Sequence, residues 1–257
     1  MLFVADVVGK PGRAGLARAM PGLRERFAPE LVVVNGENSA GGIGVTPKTA
    51  ADLFAMGCDV ITLGNHAFRH REVYAYLDSH ERIIRPANFM AGNPGRGHVT
   101  LDVGGTRLCV INLIGQVDLR AARSPFAESD ALLDRLEREA DAFFVDFHAE
   151  VTSEKVAMGW HLDGRAAAVV GTHTHVPTAD ARVLPKGTAY ITDVGMTGSR
   201  LSVLGVRWEQ AVESFRTQMQ VKFETAADDV WVNAVSVTLG GDGLAESIEQ
   251  ILEPVPD

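Results

Sequence analysis

Short apolar segments of this chain repeatedly end in a residue that can bind a metal ion or transfer a proton. Five such segments read LFVAD, LVVVNGEN, VITLGNH, AFFVDFH and AAAVVGTHTH, and each apolar run is typical of a buried strand. The polar residues that end or follow these runs are Asp6, Glu37, Asn65, His66, His148, His173 and His175. Because functional residues gather at the carboxyl ends of parallel strands, we expect these side chains to lie together on one side of one sheet.

The first third of the chain alternates predicted strands with predicted helices. The predicted strands are Leu2–Val8, Leu31–Asn35 and Val60–Leu63. Ala14–Phe27 is a predicted helix in which Pro21 should cause a break. Thr46 followed by Pro47 is typical of a helix start, and Gly57 would end that helix. Repeated strand–helix–strand units predict a parallel sheet covered by helices.

The pattern changes after residue 98. Val99–Val103 and Arg107–Leu113 flank two glycines and predict a hairpin. Further strands are predicted at Ala142–Phe147, Ala166–Val170, Ala189–Asp193, Val221–Glu224 and Val230–Leu239, the last three of them antiparallel. Helices are predicted at Ala127–Ala140, from a cap at Ser153 through Trp160, and at Trp208–Phe215. Together these elements predict an α/β protein in which two mixed sheets pack together with helices outside, and residues 1–257 form a single domain.

Composition and charge limit the possible classes of function. The chain is 46% hydrophobic and 22% charged, as in ordinary soluble globular proteins. Its net charge of −9 argues against stable binding to nucleic acids or anionic membranes, although bound metal ions can reverse the field locally. Cys58 and Cys109 lie in apolar contexts and are predicted to be buried thiols. We see no signal peptide and no apolar run long enough to span a membrane, so we expect a cytoplasmic protein.

The strongest local signal is the pair of histidines at His173 and His175. Two histidines two positions apart project to one side of an extended segment, and imidazole is a favoured ligand of zinc, iron and manganese. From the pair alone, two hydrogen-bonding loop histidines are an equally good explanation.

The other candidate ligands also have local alternatives. Taken alone, Asp6 is better explained as a helix N-cap, Glu37 as a loop residue and His148 as a structural histidine. However, the two carboxylate oxygens of Glu37 could bridge two cations, and Asn38 could offer a neutral oxygen. Because five strand ends carry residues of the same kind, a shared metal site explains them better than chance.

Two neighbouring metal ions with a free histidine suit the hydrolysis of phosphoesters. The metals acidify a water molecule, orient the phosphate and neutralise charge on its oxygens. The leaving oxygen then needs a proton, which a histidine near the site can supply.

The order of these motifs resembles that of the calcineurin-like metallophosphoesterases, and more closely their YmdB-like branch. The segments that carry the resemblance extend to about residue 198, and they read ADVVGKPGR, VVNGENSAGG, TLGNH, RPANF, DFHAEVTSEKVAMGW, GTHTHVPTAD and LPKGTAYITDVGMTG. The resemblance implies a four-layer α/β/β/α sandwich that binds two metal ions, iron or manganese, and hydrolyses phosphodiesters. It also implies 2′,3′-cyclic nucleotides as substrates.

The resemblance assigns a role to each site residue. It implies that one metal is bound by Asp6, Glu37, Asn38 and His175, and the other by Glu37, Asn65, His148 and His173. Glu37 would bridge the two metals, and His66 would be the proton donor. In the implied mechanism a hydroxide between the metals attacks phosphorus in line with the leaving ribose oxygen.

The chain departs from the wider superfamily at three positions. Val8 replaces a usual histidine, and Asn38 is expected to take its place. Glu37 replaces a bridging aspartate. Ala67 replaces the acid that usually follows the Asn-His pair, so another group must orient His66. The ligands are rich in oxygen and contain no thiolate, which favours iron or manganese over zinc.

We therefore predict a metal-dependent phosphodiesterase that acts on a small phosphodiester such as a cyclic nucleotide. Two alternatives stay open: a phosphomonoesterase or protein phosphatase on the same site, and a regulatory protein that binds metals and a nucleotide with slow turnover. A homo-oligomer is also open, because apolar residues near the C-terminus could cover a sheet edge or form a subunit contact (Val230, Trp231, Val232, Val235 and Val237).

Several other polar residues have less certain roles in the sequence. Asp146, Glu150 and Asp193 could hold ligand imidazoles in place, or they could be solvated loop carboxylates. The remaining histidines are expected to be structural or surface residues (His70, His80, His98 and His161).

Overall fold

The computed structural model describes residues 1–255, which form thirteen strands and six helices. The first half contains β1 (Leu2–Val4), α1 (Gly9–Phe27), β2 (Val32–Asn35), α2 (Pro47–Ala55), β3 (Val60–Thr62), α3 (Val73–Ser79), β4 (Ile83–Ile84), β5 (His98–Val103) and β6 (Thr106–Ile114). The second half contains α4 (Pro125–Leu136), β7 (Ala142–His148), α5 (Thr152–His161), β8 (Ala168–Thr172), β9 (Arg182–Val183), β10 (Ala189–Ile191), β11 (Gly198–Ser199), α6 (Trp208–Thr217), β12 (Val230–Leu239) and β13 (Ala245–Pro254).

The strands form two mixed sheets. The first sheet has the order β11-β12-β1-β2-β3-β4, with β13 also paired to β12. Its strands β1, β2 and β3 are parallel, as predicted, and β4, which was not predicted, is parallel to β3, whereas β12 runs antiparallel to β1. The second sheet has the order β5-β6-β7-β8-β10-β9, in which β6, β7, β8 and β10 are parallel. The predicted hairpin of β5 and β6 is confirmed.

Three apolar layers separate the sheets and the helices. Alternate residues of β1 point to opposite faces, so Phe3 packs between the two sheets while Leu2 and Val4 face α1. Between the sheets, the rings of Phe3 and Phe144 lie 5.4 Å apart. Leucines of α4 and Met158 of α5 cover the outer face of the second sheet. The predicted four-layer α/β/β/α sandwich is confirmed.

The first helix is longer than predicted. It begins at Gly9 rather than near Ala14, and Pro21 lies inside it without ending it. The buried side chains of Leu16 and Leu23 lie on either side of Pro21 on the face that packs against the sheet. This packing outweighs the backbone hydrogen bond that proline cannot make. The predicted start of α2 is confirmed, because the Thr46 side chain caps the helix and Pro47 begins it.

Other predicted elements differ from the structure. Val221–Glu224 is not a strand, and Ser153 lies within α5 instead of capping it. The strand β10 pairs in parallel with β8 and antiparallel only with the short β9. The long hairpin partner β13 was not predicted, because its exposed residues alternate with few buried ones.

The apolar residues of β12 are covered within the chain itself. Val230, Val232, Val235 and Val237 are buried, since β12 lies between β1 and β13. They therefore do not form an exposed sheet edge. Cys58 and Cys109 are unpaired buried thiols, as predicted. Within the described residues, no helix is both long and apolar enough to cross a membrane.

Candidate metal centre

The predicted site residues come together at the carboxyl ends of strands from both sheets. Asp6 follows β1, Glu37 and Asn38 follow β2, and Asn65 and His66 follow β3 in the first sheet. His148 ends β7, and the two histidines of the His173–His175 segment follow β8 in the second sheet. The expectation of a site on one side of a single sheet is therefore wrong. The two sheets pack with their parallel strands ending at the same edge, so both contribute.

Three of these residues surround an imidazole nitrogen of a fourth. His148 Nε2 lies 3.0 Å from Glu37 Oε1, 2.9 Å from Asn65 Oδ1 and 3.0 Å from His173 Nδ1. The ligand atoms of Glu37, His148 and His173 all lie within 4.8 Å of one another. Metal–ligand bonds of about 2.0–2.2 Å place neighbouring ligand atoms roughly 3 Å apart, so this spacing fits one metal ion.

The other three predicted ligands lie beside this group in a looser arrangement. Asn38 Nδ2 lies 3.0 Å from His175 Nε2, and Asp6 Oδ1 lies 4.0 Å from the same nitrogen. A half-turn of the Asn38 amide would direct its oxygen toward His175 instead. The arrangement can therefore offer a second ion one nitrogen and several oxygens.

Two buried carboxylate oxygens lack a hydrogen-bond donor. Asp6 and Glu37 are 0% exposed, and within residues 1–255 neither Asp6 Oδ1 nor Glu37 Oε1 accepts a hydrogen bond. Glu37 Oε1 is close to His148 Nε2, but no N–H points at it with hydrogen-bonding geometry. A buried carboxylate oxygen without a partner is costly, whereas a cation would satisfy it. The residues present therefore fit bound metal ions.

Hydrogen bonds orient His148 so that Nδ1 faces Thr172 and Nε2 faces the centre. Thr172 Oγ1 donates to Asp146 Oδ1 at 2.7 Å, so this hydroxyl must accept from His148 Nδ1, which lies 2.9 Å away. The proton of a neutral imidazole then sits on Nδ1, and Nε2 is free to bind a metal.

The two histidines after β8 are oriented in the same manner. His173 Nε2 lies 2.9 Å from Glu150 Oε2, which leaves Nδ1 facing the centre. His175 Nδ1 donates to the carbonyl oxygen of Leu204 at 3.0 Å, which leaves Nε2 facing the centre. His148 and His175 thus have their outer nitrogens hydrogen-bonded to an acceptor, and His173 has its outer nitrogen in an ion-pair contact with Glu150, so all three inner nitrogens face the centre.

Burial and nearby charges oppose each other in the electrostatics of the centre. Burial raises the pKa of Asp6 well above its usual value. Burial also opposes the charge of Glu37, but the imidazoles of His148 and His66 hold the pKa of Glu37 well below its usual range. Burial lowers the pKa of His148, yet the surrounding carboxylates outweigh it and raise that pKa to about 9. These carboxylates make the centre attractive to cations.

The backbone is strained at three of the site residues. Asp6, His173 and His175 have φ values of 22°, 97° and 64°, a region that residues with a Cβ rarely adopt. Such strain costs of order 1–3 kcal/mol per residue and is concentrated at functional sites. Because strain depends on the surrounding structure, the sequence alone did not indicate it.

His66 lies at the mouth of the centre and is held by residues distant in sequence. Its Nδ1 lies 3.1 Å from Asn38 Oδ1 and 3.3 Å from Glu37 Oε1, and its backbone N–H donates to Glu37 Oε2 at 3.2 Å. Its side chain is 33% exposed, more than that of His148, His173 or His175. Glu37 and Asn38 therefore orient the imidazole that precedes Ala67.

The match to a known family adds to this geometry. Residues 2–251 match the sequence model of a family described as YmdB-like protein. The chain belongs to the YmdB-like family. The resemblance predicted from the motifs is thereby confirmed.

Relatives of this YmdB-like protein include named enzymes. A 2′,3′-cyclic-nucleotide 2′-phosphodiesterase from Bacillus subtilis (strain 168) is 44% identical over 253 residues, which are 98% of this chain and 96% of the relative. A putative phosphatase/phosphodiesterase from Mycoplasma genitalium is 36% identical over 242 residues, 91% of this chain and 85% of the relative.

Solved structures of similar proteins share the fold of this YmdB-like protein. A hypothetical protein from Thermus thermophilus has a TM-score of 0.93 at 41% identity and 99% coverage of both chains. A novel phosphatase from Mycoplasma pneumoniae has a TM-score of 0.92 at 33% identity, covering 100% of this chain and 93% of the other. A putative 5′-nucleotidase from Staphylococcus aureus has a TM-score of 0.65 at 19% identity, covering 100% of this chain and 54% of the other, and it shows the fold alone.

Two buried carboxylates support the metal centre of this YmdB-like protein. Asp146 accepts hydrogen bonds from Asn35, Thr62 and Thr172. The sequence left open whether Asp146 was a solvated loop residue, but it is 0% exposed and holds Thr172 against His148.

The second supporting carboxylate, Asp193, fixes the loop between the two ligand histidines. It accepts hydrogen bonds from the backbone and hydroxyl of Thr174, from the backbone of Gly195 and from Lys155 Nζ at 2.6 Å. Lys155 and Asp193 are both 1% exposed in their side chains. Sequence reasoning missed Lys155, because a lysine in a helix gives no signal that it is buried.

The other histidines lie outside the centre. His70 Nε2 lies 2.9 Å from the carbonyl oxygen of Ile43, His80 stacks on Tyr76, and His161 pairs with Asp130. Their predicted structural or surface character agrees with these contacts.

Proposed function

We propose that this protein is a metal-dependent phosphodiesterase that hydrolyses small phosphodiesters, with 2′,3′-cyclic nucleotides as its substrate class. One observation carries the proposal: the inner nitrogens of three imidazoles face the unpaired carboxylate oxygens of Glu37 and Asp6, while their outer nitrogens contact Thr172, Glu150 and the Leu204 carbonyl. The name of the Bacillus subtilis relative supports the choice of substrate class.

The residues divide into two overlapping ligand sets. Glu37, Asn65, His148 and His173 would bind one metal ion, as their spacing of about 3 Å supports. Asp6, Glu37, Asn38 and His175 would bind the other, with Glu37 shared between them. Oxygen and imidazole ligands without thiolate favour iron or manganese.

The chain's own residues would perform three tasks in the reaction. Metal ions bound here would acidify a water molecule and neutralise charge on the phosphate. Thr172 and the Leu204 carbonyl keep the imidazoles of His148 and His175 in the tautomer that can bind a metal, and Glu150 contacts the outer nitrogen of His173. His66, exposed at the mouth, is positioned to give a proton to the leaving ribose oxygen.

We infer a single-domain protein that acts in the cytoplasm without stable binding to nucleic acids. The two unpaired buried thiols fit a reducing compartment, and the net charge of −9 disfavours polyanions. Measurement of the molecular mass in solution would determine whether the protein forms a homo-oligomer.

The test is a screen of 2′,3′- and 3′,5′-cyclic nucleotides and a phosphomonoester against protein loaded with iron or manganese. We expect a 2′,3′-cyclic nucleotide to be the best substrate, with turnover lost on chelation and restored by metal. Full activity without bound transition metal would contradict the proposal. Preference for the monoester would favour a phosphatase, and tight nucleotide binding with negligible turnover would favour a regulatory role.

A further inference from the structure

A cavity of about 280 Å³ opens beside the metal centre. Its lining includes His175, Met196, Leu204, Trp231, Asn233 and Leu252, and we call it the Trp231 cavity. His175 belongs to the metal centre as well, so a molecule with its phosphate at the metals could extend directly into the cavity. The volume lies near the lower end of sites for small organic molecules, which begin at about 300 Å³.

Most walls of the Trp231 cavity are apolar. Met196, Leu204 and Leu252 contribute aliphatic surface. Leu204 also binds His175 through its carbonyl oxygen, so the same loop shapes the metal centre and the cavity. These walls favour a planar apolar group, and Arg200, which also lines the cavity, adds a cation on one face of Trp231 and leaves the other face for a ligand.

Trp231 forms a rigid aromatic surface in this cavity. Its Nε1 donates to Asp229 Oδ1 at 2.8 Å, and the guanidinium of Arg200 lies 4.3 Å from the ring centroid. The indole is therefore held in place before a ligand arrives. A fixed aromatic surface is suited to stacking with a nucleobase, an interaction worth about 1–3 kcal/mol per base.

Asn233 provides a polar group within the cavity. It lies two residues after Trp231 on β12, so both side chains project from the same face of the strand. Asn233 is only 8% exposed, and its backbone makes hydrogen bonds. Within residues 1–255, however, its side-chain amide has no hydrogen-bond partner. A buried amide with a free donor and a free acceptor matches the hydrogen-bonding edge of a base.

We propose that the Trp231 cavity binds the nucleobase of the substrate, with Trp231 contacting its face and Asn233 its polar edge. This inference rests on the proposed function, since it assumes that the substrate's phosphate lies at the metal centre. Specificity for nucleotides then comes from Trp231 and Asn233, which are not among the proposed metal ligands.

The experiment compares a base-bearing and a base-free substrate. The substrates are 2′,3′-cyclic AMP and the 2′,3′-cyclic phosphate of 1-O-methylribose, and the variants are Asn233→Ala and Trp231→Leu. We expect the wild-type ratio of the two kcat/KM values to favour the nucleotide, and each variant to reduce that ratio about 5- to 150-fold. Trp160→Leu is the matched control, because Trp160 is an exposed residue of α5 outside the cavity and should leave the ratio unchanged.

A binding measurement separates failure of this inference from failure of the proposed function. Calorimetry with 3′-AMP and with ribose 3-phosphate should show tighter binding of the nucleotide, and Asn233→Ala should remove that difference. If no diester is hydrolysed but this selectivity is present, the cavity binds the base and the proposed function is wrong. Equal binding of the two compounds, or an unchanged kcat/KM ratio in both variants, would overturn the inference.

Discussion

The position of His66 fits the role of proton donor that we propose for it. Its imidazole is the most exposed of the four at the centre, and Asn38 and Glu37 contact its Nδ1. We expect His66→Ala to lower kcat by about 10²- to 10⁴-fold, because general acid catalysis is lost, while metal content stays nearly unchanged. The measurement is turnover of 2′,3′-cyclic AMP together with metal analysis of the purified protein.

The matched control for this substitution is His70→Ala, since His70 contacts only the neighbouring loop at Ile43. It should leave kcat close to the wild-type value. Loss of the metals from His66→Ala would show that His66 is a ligand and that its assigned role is wrong.

Thr172 acts on the centre through His148. Its hydroxyl connects Asp146 to His148 Nδ1, and valine has nearly the same shape without the hydroxyl. We expect Thr172→Val to weaken metal binding about 10- to 100-fold, as is usual when the group that orients a ligand histidine is lost. Metal titration followed by calorimetry measures this effect.

Thr62→Val provides a close comparison, because Thr62 also donates to Asp146 but has no hydrogen bond to His148. Both substitutions should reduce stability, whereas only Thr172→Val should change metal affinity. Equal loss of affinity in the two variants would mean that Asp146 has a general structural role only.

The turns at the strand ends leave little space for side chains next to the proposed ligands. Gly64, directly before Asn65, has so little room that a Cβ would lie 2.2 Å from Glu37 Oε2 and 2.4 Å from His148 Nε2. We therefore expect Gly64→Ala to displace a ligand and to lower metal content severely. Gly92→Ala, where a Cβ would meet no atom within 4 Å, should leave metal content unchanged. Metal analysis of both purified variants would decide, and full metal content in Gly64→Ala would contradict this geometry.

The elements themselves were largely predictable, because buried strands and helix caps have local signals. Continuous apolar runs indicated β2, β3, β7 and β8, and Thr46 with Pro47 indicated the start of α2. The errors arose where long-range packing decided the outcome. Pro21 stays in a helix because its neighbours are buried, and β13 forms because β12 offers it a partner.

At the scale of the molecule, the sequence predicted which residues lie together at the site, but it did not predict the interactions that hold them in place. The ligand candidates could be found because polar residues at the ends of apolar runs are conspicuous. Their division between two sheets, the strained backbone at Asp6 and the buried ion pair of Lys155 and Asp193 depend on tertiary packing. Such features have no local pattern in the sequence.

The metal centre joins the two sheets, so metal binding should stabilise the whole fold. Asp6 and Glu37 come from one sheet and His148 and His173 from the other, and each carboxyl has a buried oxygen without a hydrogen bond that a cation would satisfy. A ligand present at 100 times its Kd stabilises the folded state by about 2.7 kcal/mol. For a chain of this size, 1 kcal/mol corresponds to about 2–4 °C in Tm. We therefore expect manganese added to metal-free protein at 100 times its Kd to raise Tm by roughly 5–10 °C in calorimetric scans.

Glu37→Gln should greatly reduce this increase, because it removes the carboxylate shared by both ligand sets, whereas Glu81→Gln on the exposed surface should preserve it. An equal increase in Tm for wild type and Glu37→Gln would show that manganese binds somewhere other than at this centre.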